Sequence, residues 1–282
     1  MPRPSSVLCP SCGSLVGVRD PQCLNCGRRN PGMWGFAHVL RNVGDDHGFA
    51  MLVMWACGAL YLASLAADVE GIRTSGLLSI LSPSVQSLFL FGASGAIPVF
   101  GYGRWWTVLS AAWLHAGVLH ILFNMMWVRD LAPATARLYG PGRTAIIYTV
   151  AGVTGFLASS LAGVLAFLPR FLGGAGFTVG ASAPIFGLIG ALLHYGRRGG
   201  SSFIGQQAKS LAITMLVFGF IMPGIDNWAH LGGLGGGWLA AKVLDPLKPE
   251  RGDHLLIAIG GLVLSALAIV YSVVEGLKLF RS

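Results

Sequence analysis

Charge is what this 282-residue chain has least of. Lys, Arg, Asp and Glu together make up 11% of it, against about a quarter in an ordinary soluble domain. Hydrophobic residues reach 54% and the mean hydropathy is +0.68. That is more apolar surface than a soluble fold can hide behind a wetted exterior, so a soluble domain is excluded and the chain reads as a polytopic membrane protein. No carboxylate pair lies inside an apolar run and no inverted repeat is evident, which weighs against a transporter or metal carrier. The first 30 residues are polar and lack the apolar core of a secretory signal, so none is predicted. A formal charge of +8 would suggest nucleic acid as partner of a soluble protein; in this composition it bears on topology, and no nucleic-acid partner is expected. Glycine, by contrast, is abundant, with 41 residues, which lets helix backbones approach closely in a compact bundle.

The charged residues divide the chain into apolar runs to be compared with the ~20 residues of a spanning helix. Seven runs qualify: Phe49–Ala67, Trp105–Val128, Thr144–Pro169, Phe171–Gly196, Ser210–Ile225, Asn227–Ala241 and Leu255–Val274. Thr74–Gly103 is uncharged too, but Pro83, Gly92, Gly95, Pro98, Gly101 and Gly103 interrupt it. A lipid-facing segment must satisfy its own backbone polar groups, so this one is expected to be a loop in or on the outer interface. With the N-terminus in the cytoplasm, 14 of the 19 Lys and Arg fall inside and 5 outside, the sense the positive-inside rule requires. Trp105, Trp106 and Trp127 read as interface aromatics and His194 as an inner-rim residue. The predicted localisation is the cell membrane, multi-pass. The organisation is a cytoplasmic module over 1–32, a linker over 33–48 and a transmembrane domain over 49–282.

Four of the five cysteines form two Cys-x2-Cys pairs, Cys9/Cys12 and Cys23/Cys26, each followed by glycine and separated by ten residues. Two such knuckles can present four thiolates to one tetrahedral zinc. A module this short has no core of its own, so the metal would supply its folding energy. Two disulfides are the alternative, disfavoured by a reducing cytoplasm. The pattern resembles zinc-ribbon knuckles, implies a structural zinc, and leaves any cytoplasmic partner of the head unidentified. Cys57, mid-span, is expected to be a buried inert thiol.

Polar groups inside a membrane are costly and point to function. The second run carries His115, His120 and Asn124; the fourth carries Gly180-Ala181-Ser182; the sixth opens with Asn227-Trp228-Ala229-His230. All three runs cross from outside to inside under the assigned topology, so the clusters share one depth. A serine needs a general base within hydrogen-bond reach, and histidine is the usual one. Ser182 at a helix start would put an oxyanion near free backbone N–H groups. His120 and Asn124, four apart, share a helix face and could donate to the same oxyanion. Gly233 and Gly237 follow His230 on its own face, which would let that helix press against the one bearing Ser182. Phe186, one turn on from Ser182, could pack on the imidazole. His115 is expected to bond loop carbonyls, Asp226 to be a solvated loop acid, and Gly219–Asp226 to form a flexible lid.

These residues, with Trp105-Trp106 through Leu114-His115-Ala116-Gly117 to His120 and Asn124, and Ala229-His230-Leu231-Gly232-Gly233 with Gly237, resemble the signatures of the rhomboid family of intramembrane serine proteases. The resemblance covers roughly 104–242. It implies an all-α, six-helix core, here with a seventh helix over 255–274 as in the family's "six plus one" branch. It also implies a Ser182 nucleophile with His230 as base and no third acid. His120, Asn124 and the Ser182 backbone N–H would form an oxyanion hole. The implied substrates are transmembrane segments of other proteins, cut near the outer face with no cofactor for catalysis. One position departs from the pattern: Phe186 stands where the family usually has tyrosine, which keeps the stacking and loses the hydroxyl. A non-catalytic relative that binds membrane helices is the alternative, but such relatives generally lack the serine or the histidine.

Overall fold

A computed structural model describes residues 6–9, 11–32, 47–74, 80–165, 173–198, 200–222, 224–248 and 250–280. Most of the expected linker, the tip of the first loop and the Pro169–Phe171 junction lie outside the described residues.

The head is a two-stranded antiparallel hairpin, β1 (Ser6–Leu8) and β2 (Leu15–Gly17), with Val7 opposite Val16. Both valines turn inward onto Cys9 and Cys23. The rest is helical: α1 (Gly48–Ala66), α2 (Val85–Phe91), α3 (Thr107–Ser110), α4 (Val118–Tyr139), α5 (Pro141–Val164), α6 (Ser182–Arg197), α7 (Ser202–Ile221), α8 (Asn227–Val243) and α9 (Gly252–Leu279). The core of the bundle is α8, packed between α5 and α6. Helix α4 contacts α1, α5 and α6, α7 rests mainly on α6, and α9 lies on α5, α2 and α3.

Among the described residues there are seven long helices for the seven apolar runs, but their bounds and their fitness to span differ. Four are long and apolar enough to cross a membrane, α1, α5, α7 and α9, and the α3–α4 pair, bent by 92°, makes a fifth. Helices α6 and α8 have 16 and 17 residues. At 1.5 Å per residue they are about 24–26 Å long, short of a ~30 Å hydrocarbon core. Most of α6 is buried and α8 is packed between α5 and α6, so neither meets lipid all round.

Three bounds need correction, the simplest being that α7 starts at Ser202 rather than Ser210 and carries the exposed Lys209 within it. The run Trp105–Val128 is not one helix: α3 and a 3-10 turn over Ala111–Trp113 precede the bend, and α4 begins at Val118 and continues past Arg129 and Asp130 to Tyr139. Its charged residues are exposed, so they do not stop the helix. The run from Phe171 becomes helical only at Ser182, because Ala175, Gly176 and Thr178 bond their backbone to the first loop, the last through an isolated bridge to Ser94. Ser94 and Thr178 exchange backbone hydrogen bonds of 3.0 and 2.8 Å, and the Ala96 N–H donates to Ala175 O at 3.0 Å.

In the described part of the stretch expected to be a loop, 80–103, no helix is long and apolar enough to cross a membrane, and the segment is folded rather than loose. Ser84 caps α2 by accepting from the Ser87 N–H, and Gly92 at φ 102° ends it. A π-helical turn follows over Ile97–Gly101. Arg104 was counted among the outer loop charges, but its side chain is 1% exposed. It donates to Phe89 O at 2.7 Å and Ser272 O at 2.8 Å, with its guanidinium 4.1 Å from the Phe89 ring centre. The guanidinium thus fastens α9 to the first loop. Trp106 joins it, donating to Ser272 Oγ at 2.9 Å and packing edge-on to Tyr271, so it is a helix-packing residue rather than an interface aromatic.

On the opposite rim, Glu250 accepts the Arg143 N–H at 2.7 Å and so satisfies a free donor at the start of α5; burial raises its pKa. His194 there is 7% exposed and shares a 3.2 Å hydrogen bond with Tyr139 Oη, so it is packed rather than interfacial. Cys57 is fully buried in α1, as read.

Candidate active site

Helix α8 can lie against two neighbours at once because its glycines face both. A Cβ at Gly233 would overlap the Ala183 carbonyl and one at Gly237 the Gly187 backbone, both on α6. On the other side, Gly232 and Gly236 meet Thr154 and Ala158 of α5. The sequence reading found the first stripe and missed the second. This close approach brings His230, at the start of α8, to Ser182, the first residue of α6. His230 Nε2 lies 2.9 Å from Ser182 Oγ, although 48 residues separate them. His230 is 5% exposed. Phe186, one turn along α6, stacks on its ring with centroids 4.2 Å apart and planes 16° apart, the packing expected of that position.

A base role for His230 requires one sense of the proton. For Ser182 Oγ–H to donate to Nε2, the neutral imidazole must carry its proton on Nδ1. Nδ1 is buried and has no hydrogen-bond partner, so no carboxylate orients this ring. Asp226, four residues earlier, is engaged elsewhere, and the reading of it as a solvated loop acid is overturned. It is half-buried and caps α8, accepting the Ala229 N–H at 3.0 Å, and it also accepts a 2.5 Å hydrogen bond from Ser159 Oγ. An aspartate directly before an apolar helix is an N-cap signal, and that signal was available in the sequence. The expected lid is likewise shorter than 219–226, since α7 runs on to Ile221.

His120 and Asn124 lie on one face of α4 beside Ser182's approach. His120 Nδ1 accepts the Ala116 N–H at 3.3 Å, which leaves Nε2 as the protonated nitrogen of the neutral ring. That nitrogen faces Gly180: a Cβ built there would lie 2.6 Å from Nε2 and 3.8 Å from Asn124 Nδ2. Gly180 also has φ 131°, a conformation glycine adopts without penalty. Asn124 Nδ2 donates to the His120 carbonyl at 2.9 Å, which holds the pair together. A small group at Gly180 thus keeps open the space toward which two side-chain donors converge. His115 is fully buried beside the Trp113 backbone, with neither ring nitrogen in a well-formed hydrogen bond, and its ring meets His120 edge-on at 5.2 Å.

The head presents a second constellation. The sulfurs of Cys9, Cys12, Cys23 and Cys26 lie within 4.8 Å of one another, with Cys9–Cys26 at 3.7 Å and Cys12–Cys23 at 3.6 Å. A tetrahedron with Zn–S bonds of about 2.3 Å needs sulfurs about 3.8 Å apart, so the donor set fits zinc. All four thiols are free and share one cluster, the arrangement of a single metal site rather than of two separate bridges. Gly13 and Gly27 take φ of 75° and 73°, and their N–H groups donate back to Cys9 O and Cys23 O, giving the two knuckles one geometry.

Similarity to known proteins agrees with this site. The family model described as Rhomboid domain matches residues 102–246. "Rhomboid protease GluP" of Bacillus subtilis (strain 168) is 36% identical over 192 residues, 67% of this chain and 35% of that protein. "Putative rhomboid protease YdcA" of the same organism is 36% identical over 153 residues, covering 53% of this chain and 72% of the relative. "RHOMBOID-like protein 1" of Arabidopsis thaliana is 32% identical over 178 residues, 61% of this chain and 43% of its own length. The chain therefore spans about a third of GluP and under half of the Arabidopsis relative. The family match contains every residue of the serine site and none of the cysteine head, and it establishes that this multi-pass membrane chain belongs to the rhomboid family.

Proposed function

We propose that the protein is an intramembrane serine endopeptidase that cleaves transmembrane segments of other membrane proteins. The observation that carries this reading is the 2.9 Å contact between Ser182 Oγ and His230 Nε2. Ser182 acts as nucleophile. His230 takes its proton as the hydroxyl attacks the scissile carbonyl and returns it to the leaving amine, and a water activated by the same imidazole then hydrolyses the acyl-enzyme. The oxyanion of each tetrahedral intermediate accepts hydrogen bonds from His120 Nε2–H, Asn124 and the Ser182 N–H. Stacking on Phe186 holds the imidazole plane in the absence of an orienting carboxylate. No metal takes part in this chemistry.

The same reading completes the topology: seven crossings, the N-terminal head in the cytoplasm, and a site opening toward the outside. The domains are then the head over 1–32, a linker over 33–48 and a membrane domain over 49–282 with its core at 104–242. The name of GluP, a rhomboid protease, supports the activity. Retention of both Ser182 and His230 sets the chain apart from a helix-binding relative without catalysis. The full chain, reconstituted into liposomes with a reporter whose single membrane helix carries glycine and small residues, is expected to cut that helix near its outer end. Product mass spectrometry locates the cut. An intact reporter, or a cut outside the membrane segment, would overturn the proposal.

The head is proposed to hold one structural zinc on Cys9, Cys12, Cys23 and Cys26. Metal analysis of the purified chain is expected to give about one zinc per protein. Replacing any one of these cysteines with serine should release it and open the hairpin to proteolysis between residues 6 and 30. Because α4, α6 and α8 contain the whole serine site, turnover on the reporter is expected to survive zinc loss.

A further inference from the structure

We infer that Ser159 and Asp226 form a clamp that sets the height of His230 against Ser182, acting as positioning residues for the reaction proposed above; the inference rests on that reading. Ser159 lies in α5 and is fully buried. Its hydroxyl donates to Asp226 Oδ2 at 2.5 Å and accepts the Ala175 N–H at 3.2 Å. Asp226 Oδ1 accepts the Ala229 N–H at 3.0 Å, and its backbone carbonyl accepts the His230 N–H at 3.1 Å. One hydroxyl therefore ties together three pieces of backbone: the body of α5, the extended segment that leads into Ser182, and the first turn of α8.

Each group's capacity matches its use. Ser159 has one proton, given to the carboxylate, and a lone pair that takes the Ala175 N–H. Asp226 uses one oxygen within α8 and the other across to α5. Its carboxylate does not touch the imidazole, whose Nδ1 has no partner, so it is not the acid of a triad. The consequence is geometric. The glycine faces of α8 resist approach toward α5 and α6 but carry no side chains to resist sliding along the helix axis, which the Thr154 Oγ1 hydrogen bond to Gly232 O at 3.0 Å opposes one turn beyond the clamp. The polar clamp at the helix start resists that slide. Displacement of about 1 Å would stretch the Ser182–His230 contact out of hydrogen-bond range, a misplacement that costs on the order of a hundredfold in rate.

The test uses the full chain in liposomes with Asp226→Ala, Asp226→Asn, Ser159→Ala and the Asp226→Ala/Ser159→Ala pair. It reads kcat and KM on the reporter and the 15N shift of the His230 imidazole. Asp226→Ala and Ser159→Ala are expected to lower kcat about tenfold or more with KM within about threefold, and the double variant to be no worse than the weaker single one. Asp226→Asn keeps an acceptor for Ala229 and offers an N–H to Ser159 Oγ, so it should stay within about threefold of wild type. The His230 resonance in Asp226→Ala should move toward its position in Ser182→Ala. Wild-type kcat in Ser159→Ala, multiplying losses in the double variant, or Asp226→Asn as weak as Asp226→Ala would overturn the clamp. If Asp226→Ala does not fold, Ser159→Ala and Asp226→Asn still decide. If the wild type shows no Ser182-dependent turnover, the proposed function has failed instead. The imidazole shift then judges the clamp alone, and an unchanged shift in Ser159→Ala would sink it.

Discussion

Ser182→Ala and His230→Ala are each expected to reduce reporter cleavage by ~10⁴-fold or more, and the double variant to be no slower than either single one. Non-additivity is the informative part. The serine hydroxyl has no other base within reach: Asp226 is occupied by Ser159 and Ala229, and the proton-bearing nitrogen of His120 faces Gly180. Removing the imidazole therefore disables the hydroxyl, and removing the hydroxyl leaves the imidazole nothing to deprotonate. Both variants should fold, because Ser182 makes no hydrogen bond besides that to His230 that the fold depends on, and α8 is held by its glycines rather than by the ring. Thermal unfolding in detergent separates the outcomes. Loss of turnover with an unchanged melting temperature supports the dyad, whereas independent, multiplying losses would mean that the two residues act apart.

The second large effect falls on stability. Gly237→Leu is expected to destabilise the bundle by at least ~3 kcal/mol, the upper range for overpacking a filled core. It should also abolish turnover, because a Cβ alone would already overlap the Gly187 backbone. The obstacle is main chain and cannot rotate away, so α6 and α8 must part, and Ser182 and His230 part with them. Gly235→Ala is the control on the same helix. Nothing lies within 4 Å of its Cβ, and alanine is the better helix former by up to ~1 kcal/mol, so stability should hold or rise. Measured by unfolding in denaturant with activity alongside, equal behaviour of the two variants would refute the packing argument.

How much of this was legible in the sequence depends on which signal carried each part. Ser182, His230, His120 and Asn124 were legible because ionisable and polar groups are rare in apolar runs, and their order along the chain brought them to one level. The cysteine head was legible because ligand spacing is a local property. The start of α6 was not: Phe177 and Val179 continue the apolar run into Ser182, and hydropathy cannot distinguish non-helical backbone bridged to the first loop from a helix. Arg104 read as a loop charge because its partners, the carbonyls of Phe89 and Ser272, are remote or backbone groups that composition does not mark. Helix α4 outran its predicted end because Arg129 and Asp130 are exposed at the rim, where charge does not end a helix. The role of Asp226 was missed although its position was suggestive, since its decisive partner, Ser159, lies 67 residues away on a helix whose several serines and threonines single out none of them.

The central claim, that Ser182 and His230 form one reactive unit, is tested most directly by mapping where a fluorophosphonate reacts. Peptide mass spectrometry of the labelled wild-type chain should find a single phosphonylated residue, Ser182, and the adduct should vanish in His230→Ala although the serine is still present. An adduct on another residue, or Ser182 labelled at the wild-type rate without His230, would contradict the account.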